Sequence, residues 1–158
     1  MGRGKGAKEW PNTGEGTATM DDGTMEDAMD DQRFLTAFEE GTLETFPHGA
    51  HLRAVWLYLR DLPMAEGTAR FMERLQFNVR IRGAEDKYHA TVTWAFVLLV
   101  NERMVRHRDA RTWEEFLAQN RDLLDDGKGV LGRYYRPETL GSDLARRVFL
   151  MPDRLALA

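Results

Sequence analysis

Three of the chain's four histidines fall in two short stretches, Phe46-Pro47-His48-Gly49-Ala50-His51-Leu52 and Lys87-Tyr88-His89-Ala90-Thr91. Each stretch reads as the opening of a helix. Positions i and i+3 are neighbours on a helix surface, so His48 and His51 project side by side. Their stripe continues through Val55, Tyr58 or Leu59, and Leu62. His89 heads an equivalent stripe through Val92, Phe96 and Leu99 or Val100. If the two helices pack through these stripes, His48, His51 and His89 converge. Three imidazoles hold Zn²⁺, Fe²⁺, Mn²⁺ or Cu²⁺ and leave positions open for water or substrate. Asp86, three residues before His89, shares its predicted face, as a fourth ligand or as a carboxylate that fixes an imidazole tautomer. Glu44, about one turn before His48, is a more distant candidate. The spacing matches neither the His-Glu-x-x-His of zinc hydrolases nor the Glu-x-x-His pairs of di-iron bundles.

The same residues serve a chemistry without metal. Imidazoles titrate near neutrality, so His48, His51 or His89 can give and take protons, with Asp86 or Glu85 orienting one of them. Tyr88 and Tyr134 or Tyr135 are candidate donors to a developing oxyanion. Trp56 and Trp94 are candidate walls of an aromatic substrate pocket, although each alone reads as a core aromatic. Arg133 and Arg136, in Arg133-Tyr134-Tyr135-Arg136, are placed to grip a substrate carboxylate; the plainer reading packs the tyrosines and leaves the arginines in water. A third reading has no chemistry at all: a helical binding module whose histidines are structural, each buried imidazole nitrogen with its partner. His107, between Arg106 and Arg108-Asp109, reads as solvated. No phosphate-binding glycine loop, nucleophile elbow or Ser-His-Asp order occurs, so no nucleotide cofactor is expected.

The elements that must carry these residues are helical. The chain has 158 residues, 42% of them hydrophobic and 30% charged, enough for one domain with a real core. A net charge of -4 argues against nucleic acid as a partner. The absence of cysteine excludes disulfides, thiol nucleophiles and Cys-ligated metals. No apolar run reaches membrane-spanning length and no signal peptide is visible, so a cytoplasmic location is the default and no membrane partner is expected. Residues 1–30, rich in glycine and then in acid, read as a disordered leader before a single helical domain at 31–158. Within that domain the periodicity predicts helices over residues 32–40, 47–62, 63–82, 85–106 and 112–125. Gly41 is the stop of the first, Pro47 stands at the first position of the second, and Thr112-Trp113-Glu114-Glu115 forms a capping box. Residues 128–137 hold too many helix breakers, and Ser142 caps a last short helix. The predicted class is all-α: a compact bundle of about five helices with an irregular C-terminal segment.

The motifs Phe46-x-His48-x-x-His51-Leu52, Tyr88-His89-x-Thr91-x-Thr93 and Arg133-Tyr134-Tyr135 resemble those of a family of small bacterial helical proteins. Its patterns run aromatic-x-His-x-x-His-Leu, Tyr-His-Glu-Thr-x-Thr and Arg-Tyr-Tyr-Ser. The resemblance covers residues 33–153 and implies that His48, His51 and His89 belong together; it carries no activity with it. Ala90 stands where the family pattern has glutamate, and Arg136 where it has serine. A lost ligand or base at Ala90 implies a specialised role, by analogy in natural-product biosynthesis. The first expectation is therefore a small-molecule enzyme with a three-histidine pocket and a divalent metal. The alternative is a metal-free acid–base enzyme joining an amine to an aldehyde in a Pictet-Spengler-like condensation or cyclisation. Either takes a small, aromatic or carboxylate-bearing substrate, and a homo-oligomer is compatible with both.

Overall fold

A computed structural model describes the backbone of residues 20–154 and side chains from residue 30 onward. Residues 1–19, most of the predicted leader, lie outside the described residues. The described chain is all-α, with no strand. It falls into two compact units that divide between Asn78 and Val79.

The first unit contains α1 (Met20–Glu40), α2 (His48–Asp61) and most of α3 (Met64–Ile81). The helix of α1 starts well before residue 32, inside the stretch expected to be leader. The expected stop is in place. Gly41 adopts φ 73°, a left-handed conformation that costs glycine nothing, and Thr42 N–H closes back on the Ala37 carbonyl at 2.9 Å. Phe34 and Phe38 of α1 are buried, as are Leu52, Val55 and Phe71 of the same unit, and the Phe38 ring stacks on that of Phe71 at 5.9 Å. Each such side chain contributes about 1.5–3 kcal/mol relative to exposure. Pro47 differs by one position from the expectation: it is the N-cap, with φ -72° and ψ 167°, and His48 is the first helical residue. Close packing of α3 on α2 depends on Gly67, where a Cβ would sit 3.0 Å from the Tyr58 carbonyl oxygen.

The second unit holds the remainder. A 3-10 turn (Glu85–Lys87) precedes α4 (Ala90–Arg106), followed by α5 (Trp113–Gln119), α6 (Arg121–Asp125), α7 (Gly127–Gly132), α8 (Pro137–Leu140) and α9 (Asp143–Arg147). The capping box at Thr112 and Glu115 is present, and Ser142 caps α9 through the Ala145 amide. Three expectations need correcting. The single helix expected over 112–125 is broken at Asn120, with φ -134° and ψ 37°, into α5 and α6. The glycine-rich stretch after residue 127 does form a short helix, because the Asp126 carboxylate caps it at Gly129 N–H. The fourth helix does not begin at residue 85. It begins at Ala90, with Tyr88 and His89 extended before it. Val97 and Val100 of α4 are fully buried, beside Phe116, Leu123 and Val130 of the same unit. Among the described residues no helix is long and apolar enough to cross a membrane.

Candidate functional site

Proline at the N-cap sets the start of α2, and the two imidazoles follow from that start. Between Gly49 and Tyr58 every residue is buried except His51. His48 and His51 are both half-buried, one turn apart at the beginning of the helix. The His51 and Phe46 rings meet edge to face, with centroids 4.1 Å apart at 88°. Phe46 in turn stacks on the fully buried Phe38 at 5.7 Å. The His51 ring is thereby held from one side by an aromatic pair anchored in the core of this unit. The stripe below the histidines is apolar as expected, with Val55 and Tyr58 buried.

His89 is placed differently. It is the N-cap of α4, in extended conformation with φ -138° and ψ 106°, and does not head the helical stripe. Val92 N–H donates to Nδ1 at 3.2 Å, and Nε2 lies 2.7 Å from the Leu140 carbonyl oxygen. A carbonyl only accepts and an amide N–H only donates. These two bonds therefore set the tautomer, with the proton on Nε2 and the lone pair on Nδ1. Both nitrogens are engaged by backbone. Asp86 is exposed in the 3-10 turn, and what it offers is its carbonyl, to Arg146 at 3.3 Å. The i−3 relation of Asp86 to His89 fails because no helix runs through both.

The neighbouring motif residues share this backbone-binding role. Thr91 Oγ1, fully buried, donates to the Val148 carbonyl at 2.8 Å and accepts from Leu150 N–H at 3.1 Å. Thr93 Oγ1 donates to the His89 carbonyl at 2.8 Å. Tyr135 is buried, and its hydroxyl donates to the Leu150 carbonyl at 2.9 Å; burial raises its pKa above the usual tyrosine value. The Asp153 carboxylate accepts from Arg136 N–H at 2.9 Å and from the Thr139 hydroxyl. The Arg154 guanidinium reaches the Gly132 carbonyl at 2.6 Å. Residues 148–154 are thus a strap sewn onto the second unit, with Thr91 and Tyr135 among the residues that supply the stitches, while His89 ties the start of α4 to Leu140 of α8.

The other candidates separate by environment. Trp56 is 2% exposed, with the Arg60 guanidinium over its ring at 5.1 Å, as a core aromatic. Trp94 is 36% exposed, its ring 6.4 Å from that of Phe149. Tyr88 and Tyr134 are half-buried, and Arg133 and Arg136 are exposed, at the end of α7 and the start of α8. His107 is the C-cap of α4 and half-buried. Glu44 is exposed. Among the described residues no group of three or more His, Asp or Glu side chains is placed to hold a metal ion.

Two charged clusters in the first unit have no counterpart in the sequence reading. Asp31 accepts from Arg53 at 2.9 Å and from Arg60 at 2.8 Å, and the Arg53 side chain is 1% exposed. The Arg53 guanidinium carbon lies over the Phe34 ring, 4.6 Å from its centroid. Glu39 accepts from the Tyr58 hydroxyl at 2.9 Å and from Arg70 at 3.1 Å. Burial and the hydrogen bond to Glu39 push the Tyr58 phenol well above its ordinary value. Desolvation pulls the Glu39 carboxyl upward, but its bonds from Arg70 and Tyr58 prevail and hold it below the usual range. Arg53, set among Leu52, Ala54 and Val55, was the available signal: a charge on every side of which the helix is apolar demands a buried partner.

Comparison with protein-family models, curated proteins and solved structures finds no match to this chain.

Proposed function

We propose that this chain is a small-molecule enzyme that works by proton transfer, with His48 and His51 as the exchanging groups. The observation that supports this reading is the start of α2, where the two imidazoles are half-buried on a helix otherwise buried from Gly49 to Tyr58. A partly desolvated imidazole is suited to general acid–base work. Condensation or cyclisation is one reaction class that two adjacent imidazoles serve without a cofactor, and it is the one we propose. An arylethylamine adds to an aldehyde, water leaves, the aromatic carbon attacks the iminium carbon, and one imidazole takes the proton lost from that ring carbon. His89 is a structural residue in this reading, since both of its nitrogens bind backbone.

A divalent metal on His48 and His51 is the competing form of the same site. It would have two protein ligands from α2, with water or substrate completing the shell. Incubating the full chain with an arylethylamine and a small aldehyde, and following the cyclised product separated by chromatography from the imine of equal mass, tests the first form. His48→Ala or His51→Ala should lower turnover by about 10²–10⁴-fold with the helical circular dichroism unchanged. Turnover that survives both substitutions would sink the proposal. Metal measured by plasma mass spectrometry in stoichiometric amount, and lost in His51→Ala, would transfer the site to the competing form.

A further inference from the structure

Thr91 and Tyr135 hold the strap as a peptide-binding protein holds its ligand. Residues 148–154 form no helix or strand of their own. Thr91 Oγ1 accepts from Leu150 N–H at 3.1 Å and donates to the Val148 carbonyl at 2.8 Å, while the Tyr135 hydroxyl donates to the Leu150 carbonyl at 2.9 Å. Main-chain groups two positions apart are thus engaged on one side. A sheet edge holds an added strand in this register; here two hydroxyls replace the neighbouring strand. Such bonds read an extended backbone and no particular side chain.

Side chains of the strap add selectivity. The Phe149 ring lies 6.4 Å from that of Trp94. Pro152 has no N–H to satisfy and biases Met151 toward extended backbone. The Asp153 carboxylate closes the far end, accepting from Arg136 N–H at 2.9 Å and from the Thr139 hydroxyl at the start of α8. The seat is buried and the strap is not. Thr91 is 0% exposed and Tyr135 2%, against 47% for Val148 and 75% for Met151, with Pro152 and Asp153 exposed as well. The attachment rests on hydrogen bonds, which exchange for bonds to water at small net cost, more than on apolar burial. Segments held in this way open locally, below global unfolding.

We infer that the seat formed by Thr91, Tyr135 and the start of α8 is a receptor for an extended peptide of the pattern Phe-x-x-Pro-Asp, closed in the resting chain by its own residues 148–154. The segment seated there defines the occupant: an aromatic residue, a main chain free to pair at the residues on either side of it, then proline and a carboxylate. All of these residues belong to the second unit and none is shared with His48 or His51, so the inference is independent of the acid–base reading.

A fluorescein-labelled peptide of residues 147–154, titrated with the full chain and followed by anisotropy, tests the receptor. Asp153→Ala in the chain releases the resident strap and leaves the seat intact. That variant should bind the added peptide at least about tenfold more tightly than the parent chain, in proportion to its larger open fraction. Tyr135→Phe or Thr91→Val added to that variant, or Asp153→Ala made in the peptide, should each weaken the binding by about tenfold, because each removes a bond the peptide needs. Circular dichroism checks that the helices are kept. Amide exchange read by NMR should be faster at Leu150 than at Val97 in the parent chain, and Asp153→Ala should quicken it at Leu150 alone. An Asp153→Ala chain that binds no peptide overturns the inference. So does binding that ignores the hydroxyl and carboxylate substitutions, or a Leu150 amide that exchanges in step with Val97.

Discussion

Replacing His89 separates a structural from a chemical role, and the structure sets the size of the effect. His89→Ala removes two bonds. The first is the N-cap from Nδ1 to Val92 N–H, whose loss costs about 1 kcal/mol. The second is the Nε2 bond to the Leu140 carbonyl at 2.7 Å; the half-buried carbonyl left without its donor costs a further 1–2 kcal/mol, roughly the lower half of the usual range. The sum is about 2–3 kcal/mol, or a fall in melting temperature of about 5–10 °C for a chain of this size. His89→Asn splits the two contributions, because a short side-chain oxygen still accepts from Val92 N–H but does not reach Leu140. It should recover about 1 kcal/mol of the loss. Urea unfolding of the three proteins, followed by circular dichroism at constant m-value, makes the comparison. A His89→Ala variant as stable as the parent, or a His89→Asn variant no better than His89→Ala, would refute the reasoning. A catalytic histidine behaves the opposite way, since removing a residue held for chemistry tends to leave stability unchanged or raise it.

Thr91→Val keeps the shape of the side chain and cuts both of its stitches to the strap, so it should cost about 2–3 kcal/mol and speed amide exchange at Leu150, read by hydrogen-exchange mass spectrometry. Asp31→Asn leaves the buried Arg53 with a weakened partner and should lose about 3–5 kcal/mol by the same denaturation assay; a loss under 1 kcal/mol would mean that Arg53 finds water. The hydrogen bond from Arg103 lowers the Asp122 carboxyl below its ordinary value against the opposing pull of burial. A lowered folded value contributes stability that is present above the unfolded value of about 3.9 and lost as pH falls through the folded one, so Asp122→Asn should flatten the acid limb of the stability curve. Tyr58 has the reverse sign: its raised value is a contribution intact below about pH 10 and lost as pH rises, so Tyr58→Phe should reduce the loss of stability above pH 10 and remove a late step from the ultraviolet phenolate titration.

Why the helices were legible and the histidine centre was not comes down to the range of the interactions that decide each. Gly41, Thr112 and Ser142 signal helix ends through bonds that span three to five residues, and all three are where their chemistry puts them. The apolar stripes of α1 and α2 follow from a period of 3.6, and Phe34, Phe38, Val55 and Tyr58 are buried accordingly. His89 failed for two reasons. Histidine is not among the residues that usually cap helices, so Tyr88-His89-Ala90-Thr91 gave no local reason to start α4 at Ala90 in place of residue 85. Its second partner, Leu140, lies 51 residues away and is a backbone carbonyl, which every residue possesses and no pattern marks. The same holds for Thr91 with Val148 and Leu150, and for Tyr135 with Leu150. A motif of polar residues around a histidine looks the same in sequence whether it grips a substrate or the protein's own main chain. The distinction lies in whether the polar atoms are already satisfied. Around His89 they are, by backbone on both sides of the ring.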